Sequence, residues 1–250
     1  SMFFFILSMI SYYAGQVIVP LLGISLLIIY RKNLLLMVHS DRKMLISFIL
    51  FGLLLIPVVW SVFSPSAMMR FAGTSTFTPD AHPDEFASQV ELRNRAVQNH
   101  DVIGTILYNR RVFPVRVFFE GYISHFNPSW LFSNSGSDSF KAPHSGLLYF
   151  WEFPFIIIGI VAFLRSRLLD SKASKVILLW FLFAPVPGSI ATQAPHAMRS
   201  YAFLPTWQIF TAFGITYMLM KLAKYKSIGL VAVMLLACIS LRSFLYDYFI

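Results

Sequence analysis

Runs of about twenty mostly apolar residues, separated by short polar stretches, constrain this chain more than any other feature. A helix that crosses the hydrocarbon core of a bilayer needs about 20 consecutive apolar residues. Six runs predict transmembrane helices at residues 15–30, 44–63, 147–164, 176–190, 201–220 and 228–245. Pro185 and Pro187 should break the fourth helix near its end. The sequence predicts an all-α polytopic membrane protein of about six transmembrane helices.

The composition also indicates a protein that lies in a lipid bilayer. Of the 250 residues, 57% are hydrophobic and 12% are charged, whereas about 25% of the residues of a soluble domain are charged. Cys238 is the one cysteine of the chain, so it cannot form a disulfide within the chain. The excess of apolar surface requires a lipid bilayer as partner.

Charge distribution predicts the topology. The net charge is +9, and three short segments at 31–43, 165–175 and 221–226 carry +3 each, whereas segment 64–147 is neutral. The positive-inside rule places the three basic segments in the cytoplasm, so we expect no nucleic acid partner. The loop 64–146 and the C-terminus are then extracytoplasmic, in the plasma (inner) membrane. The same topology puts the first residue outside, and we expect the chain to be the C-terminal part of a longer protein.

This topology predicts three regions: transmembrane helices 1–2 in residues 1–63, an extracytoplasmic loop in 64–146, and transmembrane helices 3–6 in 147–250. Within the loop, a helix should begin at Pro83, with Phe86, Val90 and Val97 on one face. A second helix, over 102–126, should bend at Pro114 and lie at the membrane interface, and 127–132 should form turns. The loop is therefore predicted to be an ordered helical layer.

Several polar residues lie where charges are costly. Glu152 is predicted one turn into the third helix, beside Tyr149, where its carboxylate either reaches headgroup water or faces a substrate cavity. His125 and His144 flank the polar part of the loop and either form structural hydrogen bonds or line the same cavity. No carboxylate accompanies these histidines at ligand spacing, so no metal site is predicted.

The stretch before the fifth helix contains the clearest anion-binding signal. Arg199 lies on the outer side, against the positive-inside bias, and His196 precedes it by three residues. Together with free N–H groups at the helix N-terminus, these side chains could hold a phosphate. The alternative is that they anchor the helix at the membrane interface.

Three stretches of the chain resemble a known family. They are YYAGQVIVPLL at 12–22, YISHFNPSWLF at 122–132 together with HSGLLY at 144–149 and EFPF at 152–155, and APHAMRS at 194–200 followed by Leu204 and Pro205. In this order they resemble the C-type (GT-C) membrane glycosyltransferases, in the branch of the protein mannosyltransferases and aminoarabinose transferases. The resemblance extends over about residues 12–220.

The resemblance implies transfer of a sugar from a polyprenyl-phosphate donor to an acceptor on the outer face, by inverting displacement. Arg199, His196 and Gln16 are the implied contacts of the donor phosphate, although relatives often have a basic residue in place of Gln16. The catalytic carboxylate of the family lies in its first outer loop, to which nothing here corresponds. No catalytic residue is therefore assigned, no cofactor is predicted, and dependence on a divalent metal stays open.

Two other classes fit the same composition. A transporter or flippase for a lipid-linked or anionic substrate would use similar helices, although such proteins often contain internal repeats, and the sequence has no clear repeat. A non-catalytic assembly subunit would use its polar residues for packing alone.

Overall fold

The computed structural model describes residues 2–40, 42–78, 83–133, 146–165 and 171–249. Over these residues the chain forms α-helices and two short 3₁₀ helices, at Tyr201–Phe203 and Ala223–Tyr225. The α-helices are α1 (Met2–Ser11), α2 (Tyr13–Ser40), α3 (Arg42–Val62), α4 (Pro65–Thr74), α5 (Pro83–Gln98), α6 (Val102–Leu107), α7 (Phe113–Ser124), α8 (Pro128–Phe132), α9 (Glu152–Arg165), α10 (Lys172–Phe183), α11 (Val186–Ile190), α12 (Leu204–Lys221) and α13 (Lys226–Phe249).

Four helical segments are long and apolar enough to cross a membrane. They are Tyr13–Val38, Arg42–Val62, Lys172–Ile190 and Ala223–Phe249. The prediction of an all-α, multi-pass membrane protein is confirmed at this level. The third and fifth predicted spans correspond to α9 and α12, which have 14 and 18 residues, fewer than the usual 20.

The first predicted cytoplasmic segment, 31–43, is largely helical rather than a loop. Helix α2 continues through it to Ser40, and α3 begins at Arg42. Residues 31–40 contain neither proline nor glycine and several leucines, so they favour continued helix. The basic pair Arg31 and Lys32 marks the expected end of the apolar run but does not end the helix. The short apolar segment before the first span is a separate helix, α1.

The predicted break in the fourth span is confirmed. Helix α10 ends at Phe183 and α11 begins at Val186, with Pro185 between them. Proline lacks the N–H that continues the helical hydrogen-bond ladder. The two helices together form the candidate span Lys172–Ile190.

The chain divides into two compact units. Unit 1 comprises Ser1–Leu21, Lys32–His125 and Val186–Pro195, and unit 2 comprises Leu22–Arg31, Phe126–Pro185 and His196–Ile250. These units are defined by packing, whereas the predicted regions 1–63, 64–146 and 147–250 are defined by topology, so that division stays a prediction.

In unit 1, helix α1 packs against α3. Ile6 and Met9 of α1 and Val58 of α3 form a buried apolar cluster, with Val19 and Phe51 packed against it. Most other side chains of α3 remain exposed. An exposed apolar helix surface is what a bilayer would cover.

Helix α5 of unit 1 begins at Pro83, as predicted, but its buried face differs from the predicted one. Gln89 and Ala96 are buried, whereas Val90 and Val97 are 43% and 50% exposed. The prediction assumed that the apolar side chains are buried, whereas in the structure the polar amide of Gln89 is buried instead. Phe86, the remaining member of the predicted face, contacts the Phe113 ring edge-on.

The second predicted helix of the loop is two helices, α6 and α7. Pro114 lies in the first turn of α7, so it begins that helix instead of bending a longer one. The Asp101 carboxylate accepts the Gly104 N–H at 2.9 Å and caps α6. The predicted turns at 127–132 include a short helix, α8, which Asn127 caps through the Ser129 N–H.

In unit 2, α9 and α12 cross in close contact. A Cβ atom at Gly159 would overlap the Phe210 carbonyl oxygen, and one at Gly214 would overlap the Phe155 carbonyl oxygen. Small residues at such a crossing let two helix backbones approach, as they do in membrane helix pairs.

The contacts of unit 2 also fix the direction of its helices. Glu152, the first residue of α9, is hydrogen-bonded by Gln208, in the second turn of α12. Helix α13 runs the other way, because Ser240 contacts Trp151, whereas Gly229 lies against Leu219 near the end of α12. Helices α9 and α12 therefore begin at the same end of unit 2, which we call the polar end.

Helix α10 runs toward the polar end. The ring of Phe181, near the end of α10, packs against Phe203 and Trp207 at the beginning of α12, with centroids 5.2 and 4.9 Å apart. Lys172, at the beginning of α10, lies over the Tyr30 ring at 5.2 Å. Lys172 and Tyr30 therefore lie toward the opposite end of unit 2, which we call the basic end.

Candidate functional site

A tight turn at 196–200 holds two of the predicted phosphate contacts. The carbonyl oxygen of His196 accepts both the backbone N–H and the hydroxyl of Ser200, at 3.2 and 2.7 Å. Ala197 and Ser200 are buried, and His196 and Arg199 are half-buried. The turn is thus fixed to the unit by its small residues while its two basic side chains remain partly accessible.

The predicted helix N-terminus lies farther from Arg199 than expected. The 3₁₀ helix Tyr201–Phe203 follows the turn, and α12 begins only at Leu204. The N–H groups of Ser200 and Phe203 are already bonded to the carbonyl oxygens of His196 and Ser200. An anion held here would therefore depend more on the His196 and Arg199 side chains than on helix N–H groups.

Glu152 is the first residue of α9, whereas the third helix was predicted to begin at residue 147. Its carboxylate is buried, with 3% of the residue exposed, and it accepts the Tyr149 N–H at 2.9 Å. The Gln208 side chain donates a second hydrogen bond to it. A Glu that reaches back three residues to a free N–H is one half of a capping box, so the carboxylate stabilises the start of the helix.

Tyr149 and Trp151 link this carboxylate to α13. The Trp151 indole N–H donates to the Ser240 hydroxyl oxygen at 2.8 Å, and the Tyr149 hydroxyl donates to the Ser240 carbonyl oxygen at 3.3 Å. Hydrogen bonds among buried polar groups hold three helix segments in one arrangement. The predicted pair Tyr149 and Glu152 is therefore found together, at the polar end of unit 2.

His125, in unit 1, is fully buried and held by α7. Its Nδ1 lies 2.7 Å from the Gly121 carbonyl oxygen, and because a carbonyl only accepts, we infer that Nδ1 carries the hydrogen. A Cβ atom at Gly188 would come within 2.5 Å of Nε2, so α11 packs directly on the ring. His125 therefore forms a structural hydrogen bond, the first of its two predicted roles. Its role in a substrate cavity stays a prediction.

The remaining predicted residues are placed as follows. Gln16 lies half-buried on α2 in unit 1, whereas Arg199 and His196 belong to unit 2. His144 lies outside the described residues. The structure therefore joins Tyr149 with Glu152 and His196 with Arg199, and it assigns Gln16 and His125 to the other unit.

Sequence analysis missed three residues of the polar end, Gln208, Trp151 and Ser240. Gln208 is an amide inside an apolar helix, which is a signal that could have been used. The indole of Trp151 and the hydroxyl of Ser240 give no such signal, because tryptophan and serine are common in membrane helices. In unit 1, Gln89 was also missed: it is 1% exposed, and neither polar atom of its side chain has a hydrogen-bond partner in the structure described.

The part of the chain that the structure describes contains no group of three or more His, Cys, Asp or Glu residues placed to hold a metal ion. Its helices and their exposed apolar surfaces define an all-α multi-pass membrane protein. Comparisons with protein-family models, curated proteins and solved structures found no match.

Proposed function

We propose that this chain forms part of an integral membrane glycosyltransferase of the GT-C type. It would act in transfer of a sugar from a polyprenyl-phosphate donor to an acceptor on the extracytoplasmic face. One observation carries the proposal: the fixed turn with His196 and Arg199 leads through the 3₁₀ helix Tyr201–Phe203 into α12, at the same end of unit 2 as the buried Glu152. The sequence resemblance independently points to the same stretches.

The chemistry of that turn suits a departing phosphate. The Arg199 guanidinium has a planar set of N–H donors that matches phosphate oxygens. Negative charge grows on the phosphate as the sugar leaves, so a preplaced cation stabilises the transition state more than the ground state. His196, three residues earlier on the turn, would add a second donor.

We further propose six spans, with α9 and α12 as the third and fifth. The polar end would face the extracytoplasmic side of the plasma membrane and the basic end the cytoplasm. The direction of the helices in unit 2 supports this arrangement, because α9 and α12 run one way whereas α10 and α13 run the other.

The test is Arg199→Ala in the protein isolated from membranes, with transfer of labelled sugar from a polyprenyl-phosphate donor as the measurement. We expect turnover to fall by about 100-fold or more, the usual effect of losing one transition-state donor. Arg242→Ala is the matched control, since Arg242 is an exposed arginine of the same unit, and it should keep full activity. Full turnover by the Arg199 variant would refute the role.

The break between α10 and α11 favours a second candidate function, a flippase or transporter for a lipid-linked anion. Transporters use broken helices at their substrate sites. Reconstituted vesicles distinguish the two: movement of the labelled lipid across the bilayer without transfer of its sugar would indicate the transporter. Transfer without net movement would indicate the glycosyltransferase.

A further inference from the structure

Among the described residues of unit 2, the acidic side chains lie at one end and most of the basic side chains lie at the other. Its two described acidic residues, Glu152 and Asp247, both lie at the polar end, since Glu152 begins α9 and Asp247 follows Ser240 on the returning helix α13. Seven basic residues lie toward the basic end. Arg31 is on α2 beside Tyr30, and six others lie at helix ends that face away from Glu152: Arg165, Lys172, Lys175, Lys221, Lys224 and Lys226. Among the described residues of unit 2, this end has positive charge and no acidic side chain.

Three lysines of the basic end each lie over a tyrosine ring. Lys172 lies 5.2 Å from the Tyr30 centroid, Lys221 lies 5.7 Å from that of Tyr217, and Lys224 lies 5.5 Å from that of Tyr225. An ammonium over a ring face is weakly attracted to it. Tyrosine and lysine are also the side chains that gather where a membrane helix leaves the hydrocarbon.

We propose that the basic end of unit 2 binds the headgroups of anionic phospholipids. Lys172 begins the candidate span Lys172–Ile190, and Lys224 and Lys226 lie at the beginning of the span Ala223–Phe249. These lysines are therefore at the depth of the lipid phosphates. Lys221, Lys224 and Lys226 are exposed, so an anionic headgroup can reach them. A lipid phosphodiester supplies the negative charge that the described part of this end lacks.

The size of the effect follows from the number of lysines. Each basic residue near an anionic membrane surface strengthens binding about fivefold. Removing the charges of Lys221, Lys224 and Lys226 should therefore weaken the preference for an anionic lipid by roughly 100-fold. This inference does not depend on the proposed sugar transfer, because it concerns the opposite end of the unit.

The experiment uses the full protein in a neutral detergent. Its thermal unfolding midpoint is followed while dioleoylphosphatidylglycerol, dioleoylphosphatidylcholine or sodium phosphate is added. We expect the anionic lipid to raise the midpoint at much lower concentration than the zwitterionic one, and phosphate to have no such effect. The variant K221Q/K224Q/K226Q should lose this preference. The variant R70Q/R93Q/R111Q, which removes three exposed arginines of unit 1, is the matched control and should keep it.

Three outcomes would overturn the proposal. A triple-lysine variant that still prefers the anionic lipid would show that the basic end is not the site. Equal loss in the control variant would show that net charge alone sets the preference. Stabilisation by phosphate as strong as that by the lipid would indicate an anion site without a lipid. If the lysine variant does not fold, 1 M NaCl with the unaltered protein replaces it: the Debye length falls to about 3 Å, and the preference should disappear.

Discussion

The close crossing of α9 and α12 makes Gly159→Ala the most direct test of the packing in unit 2. The added methyl group would overlap the Phe210 carbonyl oxygen, and a backbone carbonyl cannot rotate away as a side chain would. The two helices must move apart, which weakens the dispersion contacts along their shared face. Alanine should favour the helix by up to about 1 kcal/mol relative to glycine, but overpacking costs about 1–3 kcal/mol. We therefore expect a net loss of stability of about 0–2 kcal/mol.

The free energy of unfolding would be measured by titration with dodecyl sulfate in mixed micelles. Gly52→Ala in α3 is the matched control, because a Cβ atom there meets nothing within 4 Å, and it should be neutral or slightly stabilising. Gly214→Ala acts on the same crossing, so combining it with Gly159→Ala should cost less than the sum of the two single changes. If Gly159→Ala and Gly52→Ala had equal stabilities, the close crossing would be refuted.

Substitutions at two further residues test polar contacts by the same titration. Glu152→Ala removes the acceptor of the Tyr149 N–H and of the Gln208 amide, and should cost about 1–3 kcal/mol. Glu152→Gln keeps an acceptor oxygen and should cost less; a loss as large as that of the alanine variant would contradict the capping role. His125→Ala leaves a cavity against Gly188 and removes the donor to Gly121, so we expect a loss of about 2–4 kcal/mol. A change under 0.5 kcal/mol would show that the ring is not part of the packing.

Hydropathy predicted the four segments that are long and apolar enough to span a membrane, but it did not predict where every helix begins and ends. The run at 15–30 ends where Arg31 begins, yet α2 continues to Ser40 because Arg31, Lys32 and the leucines that follow also favour helix. The break at Pro185 was predictable, since the ring of proline excludes a helical hydrogen bond, although α2 and α3 continue through Pro20 and Pro57. Pro114 was misread because the same residue begins a helix as readily as it bends one.

The candidate site was predictable only where its residues are neighbours in sequence. His196 is three residues from Arg199, and Tyr149 is three residues from Glu152, so each pair is close by local spacing alone. The contact between Trp151 and Ser240 joins positions 89 residues apart. The periodicity of a single sequence cannot predict this contact, because the contact depends on how α13 packs against the other helices.

The direction of the helices in unit 2 bears on the number of spans. Helix α10 begins at the basic end and is the first part of the candidate span Lys172–Ile190. The chain must first reach the basic end, and α9, which begins at the polar end with Glu152, is the helix that takes it there.

At about 1.5 Å per residue, the 14 residues of α9 cover roughly 21 Å, less than the hydrocarbon thickness of about 30 Å. Residues 146–151 would then lie within the membrane's depth, where irregular backbone is tolerated only if its polar groups are bonded. Leu148 donates to the Leu131 carbonyl and Tyr149 to the Glu152 carboxylate, at 2.8 and 2.9 Å. The buried Glu152 therefore supports the proposed six-span arrangement. Its carboxylate accepts the Tyr149 N–H, which at this depth would have neither a helical carbonyl nor water as its acceptor.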